Sequence, residues 1–119
     1  MAIEFSIEDR RLDGKAHVVA VSGEVDLFTA PEFKQRMSAP IDAGRSRLVV
    51  DLSETSFIDS SSLGVLIGAH RRLKLRGGAL LVVCENEAIT KTFKITGLDG
   101  VFTLAPTVEA ALSDDAAPS

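Results

Sequence analysis

Ile3, Phe5 and Ile7 alternate with Glu4, Ser6 and Glu8, and this period of two predicts a half-buried strand. Asp13-Gly14 follows as a hairpin turn signal. The run AHVVAV, residues 16–21, is apolar almost throughout and predicts a more buried strand, paired antiparallel with the first. Gly23 reads as the end of that strand. Thr29-Ala30-Pro31-Glu32 then fits a capping box, with Thr29 as the cap and Glu32 reaching back. Phe33, Met37 and Ile41 recur every four residues and predict one apolar helix face. Pro40 conflicts with that helix and is expected to kink or end it near Ala39, and Gly44 closes the segment.

RLVVDL, residues 47–52, predicts a third strand. Leu63, Leu66, Ile67 and His70 mark a second helix, whose basic end Arg71, Arg72, Lys74 and Arg76 suits the helix dipole. Gly77-Gly78 stops it. ALLVVC, residues 79–84, predicts a fourth strand. Asn86 caps a third helix carrying Ile89 and Phe93, with Gly97 as its stop. VFTL, residues 101–104, is a short fifth strand, and 107–112 a short final helix. The order β-β-α-β-α-β-α-β-α predicts an α/β fold with parallel pairing through right-handed crossovers. The expected sheet is mixed and five-stranded. Its first strand is an antiparallel hairpin partner, the rest are largely parallel, and about four helices cover mainly one face. Residues 1–112 form one domain, and SDDAAPS, residues 113–119, reads as a disordered polar tail.

Composition narrows the class of function. The chain has 119 residues, enough for one core and not for two. Its formal net charge is −4 and it has no Trp or Tyr, so no basic, aromatic surface for nucleic acid is expected. A single cysteine, Cys84, rules out an intrachain disulfide and fits a reducing compartment. The start MAIEFSIEDRR lacks the apolar core of a signal peptide, and no apolar run reaches the ~18 residues of a membrane span. A cytoplasmic protein without membrane or nucleic-acid partners is expected.

In parallel α/β units the functional loops leave the carboxyl ends of the strands. Two stand out: Gly23-Glu24-Val25-Asp26, and Phe57-Ile58-Asp59-Ser60-Ser61-Ser62. If the second and third strands are parallel, both loops open on one edge and share a surface. The serines are unsuited to catalysis by this chain. His17 lies in a strand, and His70 lies about two helical turns beyond them. There is no G-x-S-x-G elbow, no phosphate-cradling glycine loop and no metal-ligand spacing, so no enzyme, cofactor or metal is expected. Helix capping accounts for one serine but does not require three. Cys84 and Phe57 read as core, Phe28 as an exposed contact, and the basic end of the second helix as a solvated face.

GEVD at residues 23–26, RLVVDL, and SFIDSSSLGVLIGAHRRLK at residues 56–74 together resemble the STAS-domain anti-sigma factor antagonists of bacteria. GGALLVVCENEAITKTFKITGL follows the same pattern, so the resemblance covers nearly the whole chain. It implies a STAS fold and a phosphorylation-controlled decoy. The unphosphorylated antagonist binds an anti-sigma factor that is also a serine kinase and so releases a sigma factor. Phosphorylation switches binding off, and a phosphatase restores it. The second serine after the aspartate maps to Ser61, the implied phosphoacceptor, with Ser60 and Ser62 as alternatives. Asp26, Asp59, Ser60, Ser62 and Leu63 map to the partner-binding surface. The family usually reads D-S-S-G-L-G, and Ser62 stands here in place of the glycine. The competing readings are a STAS interaction subunit of another assembly, such as a signalling complex or lipid transport system, and a nucleotide-binding STAS module.

Overall fold

The computed structural model describes residues 4–114. The elements run β1 (Ser6–Arg11), β2 (Ala16–Val25), α1 (Ala30–Asp42), β3 (Arg47–Ile58), α2 (Ser60–Leu75), β4 (Ala79–Val83), α3 (Glu87–Ile95), a 3-10 turn (Leu98–Gly100), β5 (Thr103–Ala105) and α4 (Val108–Asp114). The five strands lie in the order β1-β2-β3-β4-β5. β1 pairs antiparallel with β2, and β2–β3, β3–β4 and β4–β5 are parallel. This is the mixed α/β sheet expected from the alternation of the elements.

Each parallel step moves one strand in the same direction. Right-handed crossovers therefore place α1, α2 and α3 on a single face. The larger core lies there: Val19, Val21, Val25, Leu48, Val50, Leu52, Leu80 and Val82 of the strands meet Phe33, Met37, Ile41, Leu63, Leu66, Leu73, Ile89 and Phe93 of the helices. The other face is smaller. Val18, Val49, Leu81, Val83 and Ala105 pack with Ala111 of α4.

Several boundaries differ from the pattern-based expectation. The strand expected from Ile3 begins at Ser6, and Ile3 lies outside the described residues. β2 does not stop at Gly23. It passes through that residue at φ +87° to Val25, across an irregularity in the β2–β3 ladder. β3 runs six residues beyond Leu52, because the same ladder continues to Val25–Ile58. Pro40 does not end α1 at Ala39. It sits one turn from the end, so only one intrahelical donor is lost, and its buried ring extends the face of Met37 and Ile41. β5 starts at Thr103 because the unforeseen 3-10 turn takes up the preceding residues. Ser113 and Asp114, expected in the tail, continue α4, and 115–119 lie outside the described residues.

The crossings are held by identifiable contacts. Arg45 is buried and its guanidinium donates to the carbonyls of Leu12 and Ala16, tying the β1–β2 hairpin to the start of β3. The basic end of α2 is more than a solvated face. Arg72 pairs with Asp42, and Arg76 donates to the Ile41 carbonyl at the end of α1. Gly78 is required by close approach, since a Cβ there would stand 2.2 Å from the Ser46 carbonyl oxygen.

Candidate functional site

The carboxyl ends of β2 and β3 lie side by side, with Glu24 paired to Phe57 and Val25 to Ile58. Asp26 and Asp59 are the next residues of their strands, so both aspartates emerge on one edge of the sheet. The expected pairing of the two segments holds, although their first residues are strand rather than loop.

Each aspartate organises the turn that follows it. Asp59 has extended backbone at φ −124° and caps α2, its Oδ1 accepting from the Ser62 amide at 3.1 Å. Asp26 Oδ1 accepts from the amides of Phe28 at 2.9 Å and Thr29 at 3.1 Å. The capping box expected at Thr29 and Glu32 does not form, because Thr29 makes no side-chain cap bond to α1. Its hydroxyl instead accepts from the Asp26 amide at 2.9 Å. The reciprocal cap is thus built backward, between Asp26 and Thr29.

The three serines have three different environments. Ser60 begins α2 and is exposed. Ser61 is half-buried and lines a groove between α1 and α2. Ser62 is 0% exposed; its hydroxyl donates to the Val25 carbonyl and lies 3.1 Å from Asp59 Oδ1. Ser62 is therefore neither an accessible acceptor nor part of a contact surface, contrary to the sequence expectation. The helix periodicity turns it inward onto the end of β2. Leu63 is likewise buried in the main core, which corrects its reading as a partner contact. Only Ser60 and Ser61 of the triplet offer hydroxyls at the edge.

Exposed apolar side chains stand next to the two aspartates along the chain, Leu27 and Phe28 directly after Asp26 and Phe57 two residues before Asp59. Leu27 is 66% exposed, Phe28 88% and Phe57 46%. Phe57 was expected in the core. The β2–β3 ladder changes register between Gly23 and Glu24, so Glu24 pairs with Phe57 after Gly23 pairs with Thr55. This is the second of two register shifts in the ladder, after one between Ala20 and Ser22; across them Ile58 stays in the core with Leu48, Val50 and Leu52, and its neighbour Phe57 faces out. Buried Thr55 anchors the irregular stretch by donating to the Val21 carbonyl at 2.8 Å. Asn86, the cap of α3, accepts from the Ala88 amide and donates to the Thr55 carbonyl. The groove residues were not legible from the sequence, since they come from facing sides of two helices.

The histidines lie apart from this edge. His17 meets Asp9 at 3.1 Å, in a cluster that Arg36 completes. His70 stacks edge-on against Phe102, with ring centroids 5.3 Å apart. Cys84 is buried, and burial pushes its thiol up from the ordinary value. Among the described residues no group of three His, Cys, Asp or Glu could hold a metal ion, and no helix is long and apolar enough to cross a membrane.

Residues 7–111 match the family model described as STAS domain. The chain is 33% identical over 102 residues to the anti-sigma-B factor antagonist of Listeria monocytogenes, covering 85% of this chain and 87% of that protein. A solved anti-sigma factor antagonist from Mycobacterium paratuberculosis is 33% identical, with a TM-score of 0.86 and 93% of each chain covered. The phosphorylated form of the Bacillus cell fate determinant SpoIIAA shares the fold at 24% identity and a TM-score of 0.70, over 94% of this chain and 99% of that one.

Proposed function

This chain belongs to the STAS domain family, and we propose that within it the protein works as an anti-sigma factor antagonist in the cytoplasm. Unmodified, it binds an anti-sigma factor that is also a serine kinase and so releases a sigma factor. The family is non-enzymatic in general, and the chemistry of the switch belongs to the partners. The kinase moves the γ-phosphoryl group of ATP to Ser61 Oγ. The hydroxyl proton passes to a base of the kinase and ADP leaves. A phosphatase hydrolyses the ester and restores the hydroxyl.

One observation carries this reading. Two serine hydroxyls, those of Ser60 and Ser61, open at the start of a 16-residue helix on the edge shared by Asp26 and Asp59, beside exposed Leu27, Phe28 and Phe57. Apolar side chains around a small polar centre suit a protein partner. A phosphoserine carries about −1.5 to −2 charges, which the helix N-terminus tolerates without unfolding. A partner surface fitted to a neutral hydroxyl instead meets a dianion next to two carboxylates. Losing ~3 kcal/mol of binding lowers affinity more than a hundredfold. The existence of a phosphorylated Bacillus protein of the same fold is consistent with such a switch.

A pull-down with the unmodified protein, followed by incubation of the captured partner with ATP and tandem mass spectrometry, tests the reading. The expected result is a small ATP-binding kinase as prey and one phosphate, on Ser61. Phosphate on Ser60 alone reassigns the acceptor; capture of a transporter subunit with no phosphorylation overturns the antagonist reading.

A further inference from the structure

The groove into which Ser61 opens holds about 430 Å³ between α1 and α2. Met37, Ile41 and Val65 contribute apolar wall, and Lys34 and Arg72 also line it. The two cations are not equivalent. Arg72 is paired with Asp42, whereas Lys34 makes no ion pair or hydrogen bond among the described residues.

The Arg72–Asp42 pair and the Arg76 bond to the Ile41 carbonyl join the two helices near their C-terminal ends. Both follow parallel strands and run in the same direction. Lys34, Gly64 and Ser61 all line the groove; eight residues back from Asp42 and Arg72 stand Lys34 and Gly64, and Ser61 lies about one turn nearer the N-terminal end of α2. Helical side chains lean toward the N-terminus, so the stem of Lys34 leans toward Ser61. Gly64 places no side chain in the way, and the space where a Cβ would stand there is empty within 4 Å.

We infer that Lys34 is the built-in counter-cation of phosphorylated Ser61: modification puts a dianion at the mouth of the groove, and the Lys34 ammonium crosses from α1 to pair with it. The inference rests on the reading of Ser61 as the modified residue and deepens it. Asp26 and Asp59 on the same edge disfavour added negative charge, and Lys34 offsets them. The phosphate is then held by its own chain rather than offered to a partner's cations, and the pairing covers the adjacent end of the groove. The modified state is stable as a fold, while the face it presents has changed in charge and in shape.

The experiment uses the full chain with phosphoserine installed at position 61 by stop-codon suppression, so no kinase is needed. Phosphorus NMR titration reads the second pKa of the phosphate. Lys34→Gln raises that pKa by about 0.5 unit relative to the parent protein, Lys34→Arg restores it, and salt shrinks the difference. Lys94→Gln, at the far end of α3, leaves it unchanged. In the parent protein the Lys34 side-chain nitrogen resonance shifts along the same titration curve as the phosphate. Equal phosphate pKa values in the parent and Lys34→Gln overturn the inference, as does an equal rise in Lys94→Gln or a Lys34 nitrogen signal that ignores the phosphate. Failure of the partner kinase to modify Ser61 counts against the earlier reading instead, because the titration does not depend on that enzyme.

Discussion

Ser62 donates its buried hydroxyl to the carbonyl of Val25, the last residue of β2, and so pins the first turn of α2 to the end of a neighbouring strand. Asp59, which caps the same turn, contacts both the amide and the hydroxyl of Ser62. The serine that departs from the family glycine is thus a fastener, and its two neighbours in the triplet are left free for chemistry.

Ser62→Ala removes the donor and leaves a buried carbonyl without it. The expected cost is about 1–3 kcal/mol of stability, read as a lower urea midpoint with an unchanged slope. On the proposed function, Ser61 is expected to remain a phosphoacceptor in the variant, since it is held in the helix and not by that bond. A midpoint equal to that of the parent protein would show that Ser62 fastens nothing.

Ser61→Ala and Ser61→Asp should both fold, because a half-buried position in the first turn of α2 tolerates either side chain and the dipole favours the acidic one. Their stabilities are expected to agree within ~1 kcal/mol. Calorimetry against the anti-sigma factor then separates them: the alanine variant binds and the aspartate variant binds poorly. Equal affinities would remove the electrostatic basis of the switch.

Asp26 accepts two backbone amides and thereby holds the turn that displays Leu27 and Phe28. Asparagine keeps an oxygen acceptor in the same place. Asp26→Asn is expected to melt near the parent temperature while changing phosphorylation rate or partner affinity through the lost charge. Asp26→Ala loses the acceptor as well and should cost about 1 kcal/mol. A thermal melt combined with a phosphorylation time course separates the two roles, and an asparagine variant unchanged in both would make Asp26 a turn residue only.

Phe28 stands 88% exposed and Phe57 46% exposed beside the serines. Truncating either to alanine removes little folded-state packing but a large apolar contact for a partner. The expected signature is unchanged stability with affinity for the anti-sigma factor reduced tenfold or more, corresponding to about 1.4 kcal/mol. Wild-type affinity in both variants would place the interface elsewhere.

The legible parts of this protein are those carried by local pattern. The alternation of apolar runs with helical spacing gave the element order and the mixed sheet. The serine run stood at the start of α2, though its cap is Asp59 and not a serine as expected, and Asn86 caps α3 as expected. What escaped depends on pairing between distant segments. Nothing local to Ser53 or Ser56 announces the two bulges of β3, because they exist only relative to β2. The inward direction of Ser62 depends on where Val25 ends. Thr29 and Glu32 have the spacing of a capping box, but Asp26 outcompetes that arrangement by bonding Thr29 from the other side.

His70 provides a pH test of the packing on the helix-covered face. Burial lowers its pKa first, and the nearby Lys74 lowers it further. Its ring packs edge-on against Phe102, and its buried Nδ1 has no partner among the described residues. The folded state therefore resists protonation that the unfolded chain accepts near the ordinary value of 6.5. In that interval the unfolded state binds more protons, so stability rises with pH. The His70 contribution is complete above about pH 6.5 and erodes as pH falls toward the lowered folded value. Asp9 acts at more acidic pH. Burial alone would raise its pKa, but the contacts with Arg36 and His17 outweigh that and leave it below 3.8. Its contribution is present above that value and is lost as pH falls through the lower folded one. Urea melts across the pH range should therefore separate the two groups. Substituting His70→Gln makes the stability difference from the parent protein independent of pH between 7 and 5, if the ring is protonated equally in both states. The expected result is instead a difference that shifts in favour of the glutamine variant as pH falls through that interval, while both proteins retain the acid loss due to Asp9.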